Sequence, residues 1–127
     1  MWLITPVGFF SIVRKPGDLA AGTLTVRARA RADLEALATR MPGLGPITDR
    51  GGTDYPYRAR APRAALAEAC AAMLREIDYA NFKDAVAARQ GPGRAEVYGK
   101  VWGTLLALTP GARPSPPDRY RGPRLSR

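Results

Sequence analysis

The run Leu24-Thr25-Val26-Arg27-Ala28-Arg29-Ala30-Arg31 decides how the chain is read, because apolar and polar side chains alternate along it without a break. In an extended strand, successive side chains leave opposite faces of the sheet. Leu24, Val26, Ala28 and Ala30 therefore share one face, and Thr25, Arg27, Arg29 and Arg31 share the other. Tyr55 to Ala61 repeats the arrangement, with Tyr55, Tyr57, Ala59 and Ala61 against Arg58 and Arg60. Two such strands predict a sheet with one apolar face turned to a core and one cationic face turned outward.

Upstream, Gly8 to Arg14 is rich in aromatic and β-branched residues, and Lys15-Pro16-Gly17-Asp18 supplies turn chemistry, which together predict a hairpin with a long loop. Downstream, Asp33 opens a helix with Leu34, Leu37 and Met41 on one side, stopped by Pro42-Gly43. A short strand is expected within Leu44 to Asp49. Pro56 removes a backbone donor, so the strand Tyr55 to Ala61 is expected at a sheet edge or pinched at its start. Pro62 suits a first helical turn, and Leu66, Ala69, Cys70, Met73, Leu74 and Ile77 recur at helical spacing. Asn81 is placed to cap a helix from Phe82 to Arg89, and Val97, Val101, Trp102, Leu105 and Leu108 mark a last one over Arg94 to Leu108.

The expected class is α+β: a four-stranded antiparallel sheet in the order ββαββα, a circular permutation of the ferredoxin-like arrangement, with additional C-terminal helices. Phe9 and Val13 fall on one face of the first strand while Phe10 and Ile12 fall on the other, so both faces need cover. The C-terminal helices or a second subunit would supply it. Residues 1–110 read as one domain. The remainder, 111–127, contains Arg113-Pro114-Ser115-Pro116-Pro117 and few apolar residues, which predicts a disordered basic tail.

The 127-residue chain carries a net charge of +9, unevenly spread. Residues 1–62 contribute +4, residues 63–112 only +1 and the last fifteen +4. Cations concentrated on a sheet face and a tail suit a polyanionic partner. Against this stands composition: of the 20 basic residues 17 are Arg, in a chain rich in Ala, Gly and Pro, as a GC-rich genome would produce without any partner. The single cysteine excludes an internal disulfide framework. Met1 to Val13 lacks a basic leader region and a cleavage site and is too short to span a bilayer, so a cytoplasmic protein with no membrane partner is expected.

Enzymatic chemistry is thinly provided for. With no histidine, the commonest general base and metal ligand are missing, and Ser11, Ser115 and Ser126 have no evident activating partner. No catalytic residue, metal site or cofactor is assigned. Cys70 sits on the apolar stripe of its helix and reads as a structural thiol. Asp49 and Asp54 bracket Arg50-Gly51-Gly52-Thr53, where an oxygen-ligated cation is conceivable, but turn chemistry explains the same residues. Asp78, Tyr79, Asn81 and Lys83 form a corner between helices that could serve in recognition, with Lys83 placed to pair with Asp78. Because Tyr55 and Tyr57 are expected to face the core, an aromatic stacking platform on the cationic face is not expected.

The stretches Trp2 to Val13, Asp54-Tyr55-Pro56-Tyr57-Arg58 and Ile77 to Lys83 resemble those of small uncharacterised bacterial proteins of similar length. That resemblance spans about residues 1–108 and implies no activity. The reading from residues is a non-enzymatic binding or regulatory module. It would contact a polyanion, chiefly nucleic acid, through Arg27, Arg29, Arg58 and Arg60 of the sheet and Arg119, Arg121 and Arg124 of the tail. The alternatives are a protein-interaction module or homodimer using the second sheet face, and a small-molecule-binding or enzymatic ferredoxin-like domain.

Overall fold

A computed structural model describes residues 1–112. Five strands, β1 (Trp2–Ile4), β2 (Phe9–Val13), β3 (Thr23–Ala28), β4 (Thr48–Asp49) and β5 (Tyr57–Pro62), form one open antiparallel sheet in the order β1-β2-β3-β5-β4. The helices are α1 (Asp18–Ala21), α2 (Arg31–Arg40), α3 (Arg63–Arg75), α4 (Phe82–Gln90) and α5 (Pro92–Leu105), which runs into a 3-10 turn at Leu106–Leu108. The class is α+β, with five strands where four were expected. The extra strand is Trp2-Leu3-Ile4, too short to carry a periodic signal. It reverses through Thr5 to Gly8, where the Thr5 hydroxyl accepts the Val7 and Gly8 N–H groups, both at 3.1 Å, so that Ile4 meets Phe9.

The register divides the sheet into two faces. Ser11, Arg27, Arg58 and Thr48 stand opposite one another in a row across four strands, with Val13, Thr25 and Arg60 in the next row. The reverse face carries Leu3, Phe10, Ile12, Leu24, Val26, Ala28, Ala59 and Ala61. Leu34, Leu37 and Met41 of α2 and its end pack there with Leu66 and Ala69 of α3, forming the core. Each large apolar side chain fully buried in this way stabilises the fold by roughly 1.5–3 kcal/mol.

The predicted alternation holds through Ala28 and then fails. Arg29 and Ala30 leave the ladder, and Arg31 opens α2, where it pairs with Glu35 one turn on at 3.0 Å. Alternating Arg and Ala do not distinguish the two structures, because both residues are strong helix formers. Tyr55 precedes β5 and turns onto the cationic face, whereas Tyr57 stays at the edge of the core. Strand β5 is interior, between β3 and β4, with Pro56 just outside its start. The expected strand from Leu44 shrinks to Thr48–Asp49, and ahead of it the Gly45 N–H donates to the Arg60 carbonyl at 2.8 Å. A Cβ on Gly45 would lie 3.0 Å from that oxygen, so glycine permits this close approach.

The last two helices also depart from expectation. Helices α4 and α5 pack on each other, with the Phe82 and Tyr98 rings stacked at 5.9 Å. Most of the stripe expected to cover the second sheet face is left facing solvent, with Trp102 60% exposed and Leu108 80%, and only Val97 and the half-buried Val101 border the Trp2–Phe9 end of that face. What docks α5 is its polar side. Arg94 grips the buried carboxylate of Asp33 through both terminal nitrogens, at 2.7 and 3.0 Å, while that carboxylate also accepts the Phe9 N–H at 2.9 Å. The predicted tail, with Arg119, Arg121 and Arg124, falls outside the described residues except for Gly111 and Ala112.

Candidate nucleic-acid interface

The cationic face is framed at one end by the loop between β2 and β3. Gly17 takes φ of 90°, a left-handed conformation favouring glycine, and a Cβ there would crowd the Arg60 guanidinium at 3.3 Å. This turn lowers Asp18 onto the sheet. Its carboxylate accepts the Thr23 hydroxyl at 2.6 Å, the Lys15 N–H at 2.7 Å and the Thr25 hydroxyl at 2.8 Å, and Arg60 Nε lies 3.7 Å away. Asp18 touches no solvent. Hydrogen bonding, led by Thr23 and then the Lys15 N–H, outweighs desolvation and holds its pKa at about 2.

Four arginines of this face are oriented by neutral oxygens. Arg27 donates to Ser11 Oγ at 2.7 Å, Arg29 to the Asp54 carbonyl at 3.2 Å, Arg58 to the Tyr55 carbonyl at 3.2 Å and Arg60 to the Pro16 carbonyl at 2.8 Å. Such bonds fix the side chains without cancelling their charge; among the described residues only Arg60 of the four has a carboxylate within 4.0 Å. Arg58 and Arg60 then join Lys15 and Arg50 around an open cleft of 610 Å³, floored by Thr25 and Thr48. Among the described residues no carboxylate lines it. Arg27 and Arg29 stand apart from the cleft, over the Tyr55 ring at 4.6 and 4.9 Å from its centre. Of the four sheet arginines singled out from the sequence, Arg58 and Arg60 line this cleft, and they are joined there by Lys15 and Arg50, which lie in loops where alternation says nothing.

At the other end of the face the aromatics gather. Trp2 meets Phe9 edge-to-face at 6.2 Å, and Phe9 lies 6.2 Å from Tyr55. Between these rings and α5 is a second groove, of 320 Å³, walled by Val97 and Val101. Tyr55 is 4% exposed, and its hydroxyl has no hydrogen-bond partner among the described residues.

The remaining candidates are dispersed. Asp78 and Tyr79 line a separate cleft beside Pro6 and Arg40, but Asn81 caps α4 by accepting the Asp84 N–H at 3.0 Å. Lys83 lies over the Trp102 ring at 5.1 Å instead of pairing with Asp78. Cys70 is half-buried against the core, and that burial raises its pKa. Among the described residues no cluster of acidic or cysteine side chains could hold a metal ion, and no helix is long and apolar enough to cross a membrane.

No family model, curated protein or solved structure matches this chain. Residue roles therefore rest on its own geometry.

Proposed function

We propose that the protein is a non-enzymatic module that binds the phosphate backbone of a nucleic acid on the arginine-bearing face of its sheet. The observation that carries this reading is the cleft: Lys15, Arg50, Arg58 and Arg60 converge on it, and among the described residues its lining holds no carboxylate. Phosphates entering there would gain charge-assisted hydrogen bonds and release counterions. Contacts to phosphate position a strand without reading its bases, so the expected binding is salt-sensitive and tolerant of sequence.

The test is a salt titration of binding to a short DNA or RNA strand. If all four cations each neutralise a phosphate, the log–log slope is about −3 on single strands and about −4 on duplex. Lys15 and Arg50 make no side-chain hydrogen bond or ion pair among the described residues, so Lys15→Gln with Arg50→Gln leaves the fold intact. That double substitution is expected to flatten the slope by about 1.5, while Arg75→Gln, outside the cleft, leaves it unchanged. No retention of DNA or RNA even at low salt refutes the reading.

A second reading, self-association or a protein partner, is favoured by the exposed Val97, Trp102, Leu105 and Leu108. It predicts a mass above the monomer's by light scattering after nuclease treatment at high salt. We further infer that the inner order β2-β3-β5-β4, with α2 after β3 and α3 after β5, represents a permuted ferredoxin-like unit to which β1, α4 and α5 are additions. The supporting feature is that both helices lie on one face.

A further inference from the structure

Resting on the nucleic-acid reading, we propose that the groove between the Trp2–Phe9 pair and α5 receives an unstacked base, so that the partner is single-stranded. The groove and the cationic row share one sheet face and are joined without a gap. Phe9 contacts Tyr55, Arg27 and Arg29 lie over the Tyr55 ring, and the Tyr55 carbonyl orients Arg58 at the cleft. A strand whose phosphates follow Arg58 and Arg60 is thereby led to the aromatic end, about 13 Å along the strands from the Arg60 row to Phe9 and two strand spacings of about 4.8 Å across from β5 to β2.

Three features select a base over other occupants. Trp2 is 71% exposed and meets Phe9 edge-to-face, so its ring remains open for stacking. The volume of 320 Å³ lies at the small end of the roughly 300–1,000 Å³ typical of ligand sites, and the walls formed by Ile4, Val97 and Val101 are apolar. Lastly, Arg29 lines the groove with its guanidinium over the Phe9 and Tyr55 rings, a cation beside the phosphate of a seated base from which an aliphatic side chain of a protein partner would gain nothing. Duplex cannot use such a groove, because its bases are already stacked and paired; unstacked bases of a single strand can seat on aromatic rings.

The experiment measures binding of labelled oligothymidylate, of an abasic strand of equal length and charge, and of the duplex, at low salt. Wild-type protein is expected to bind the intact single strand at least about 5-fold more tightly than the abasic strand, the weakest gain one stacked base gives. Trp2→Ala is expected to remove that preference while leaving abasic binding unchanged. Val97→Trp, which fills the groove from an exposed position on α5, does the same and guards against a folding effect at β1. Equal affinity for intact and abasic strands overturns the base site while leaving the cationic cleft standing. Preference for the duplex overturns it likewise. If neither strand binds, the phosphate reading falls and this inference with it. Self-association blocked by Val97→Trp, with strand binding untouched, would make the groove a protein interface and overturn the proposal.

Discussion

Replacing Arg94 by Met tests what holds α5 to the sheet. The methylene stem is largely preserved and the guanidinium is lost, leaving Asp33, 4% exposed, with the Phe9 N–H as its remaining partner within hydrogen-bond distance. Removing one partner of a buried ion pair typically costs 3–5 kcal/mol. Arg94 is itself a quarter exposed, and Asp33 keeps one bond, so the expected loss is near the lower end, about 3 kcal/mol. For a domain of this size that lowers Tm by roughly 12 °C. Thermal unfolding followed by circular dichroism reads it directly. Asp33→Asn in the Arg94→Met background removes the stranded charge while retaining an acceptor for Phe9, so the double variant should be more stable than Arg94→Met alone. A loss under about 1 kcal/mol for Arg94→Met, or a double variant whose loss equals the sum of the two single losses, would refute the ion pair as the docking contact.

Two further outcomes concern single side chains. Asp18 is held at about 2, below its ordinary 3.8, so its contribution to stability is fully present above pH 4 and fades as the pH falls toward 2; denaturant midpoints measured across that window should drop, and Asp18→Asn should flatten the drop. Cys70→Ala should cost about 1 kcal/mol through a small cavity and leave strand binding unchanged, and the native thiol should react slowly with alkylating reagents because burial raises its pKa.

The division of the sheet into an apolar and a cationic face was legible because Val26, Ala28, Ala59 and Ala61 must all reach the same core, and a period of two fixes where their neighbours point. The limits of that signal are equally physical. Arg29 to Arg31 continue the pattern in letters while the backbone turns into a helix. Tyr55 lies in a bend two residues ahead of β5, so parity counted from Tyr57 assigns it to the wrong face and hides the aromatic end of the candidate site. The stripe Val97, Val101, Trp102, Leu105 and Leu108 was expected to be buried on the rule that apolar periodicity marks the docked side. Here the docked side is written in Arg94 and Tyr98, one turn apart, whose partners Asp33 and Phe82 are distant in sequence. Lys15 and Arg50 belong to loops, where no period exists to place them.

The register sets Arg27 directly opposite Arg58, and like charges facing across neighbouring strands repel. With no histidine in the chain and only one lysine at the cleft, this repulsion persists through any physiological change of pH, since guanidinium groups stay protonated. The sheet face is thus under permanent electrostatic tension, which a bound anion would relieve. Simple multivalent anions such as inorganic polyphosphate should therefore raise the melting temperature of the protein, and on the phosphate-binding reading the binding of a strand should be lost to competing salt but not to acidification within the physiological range.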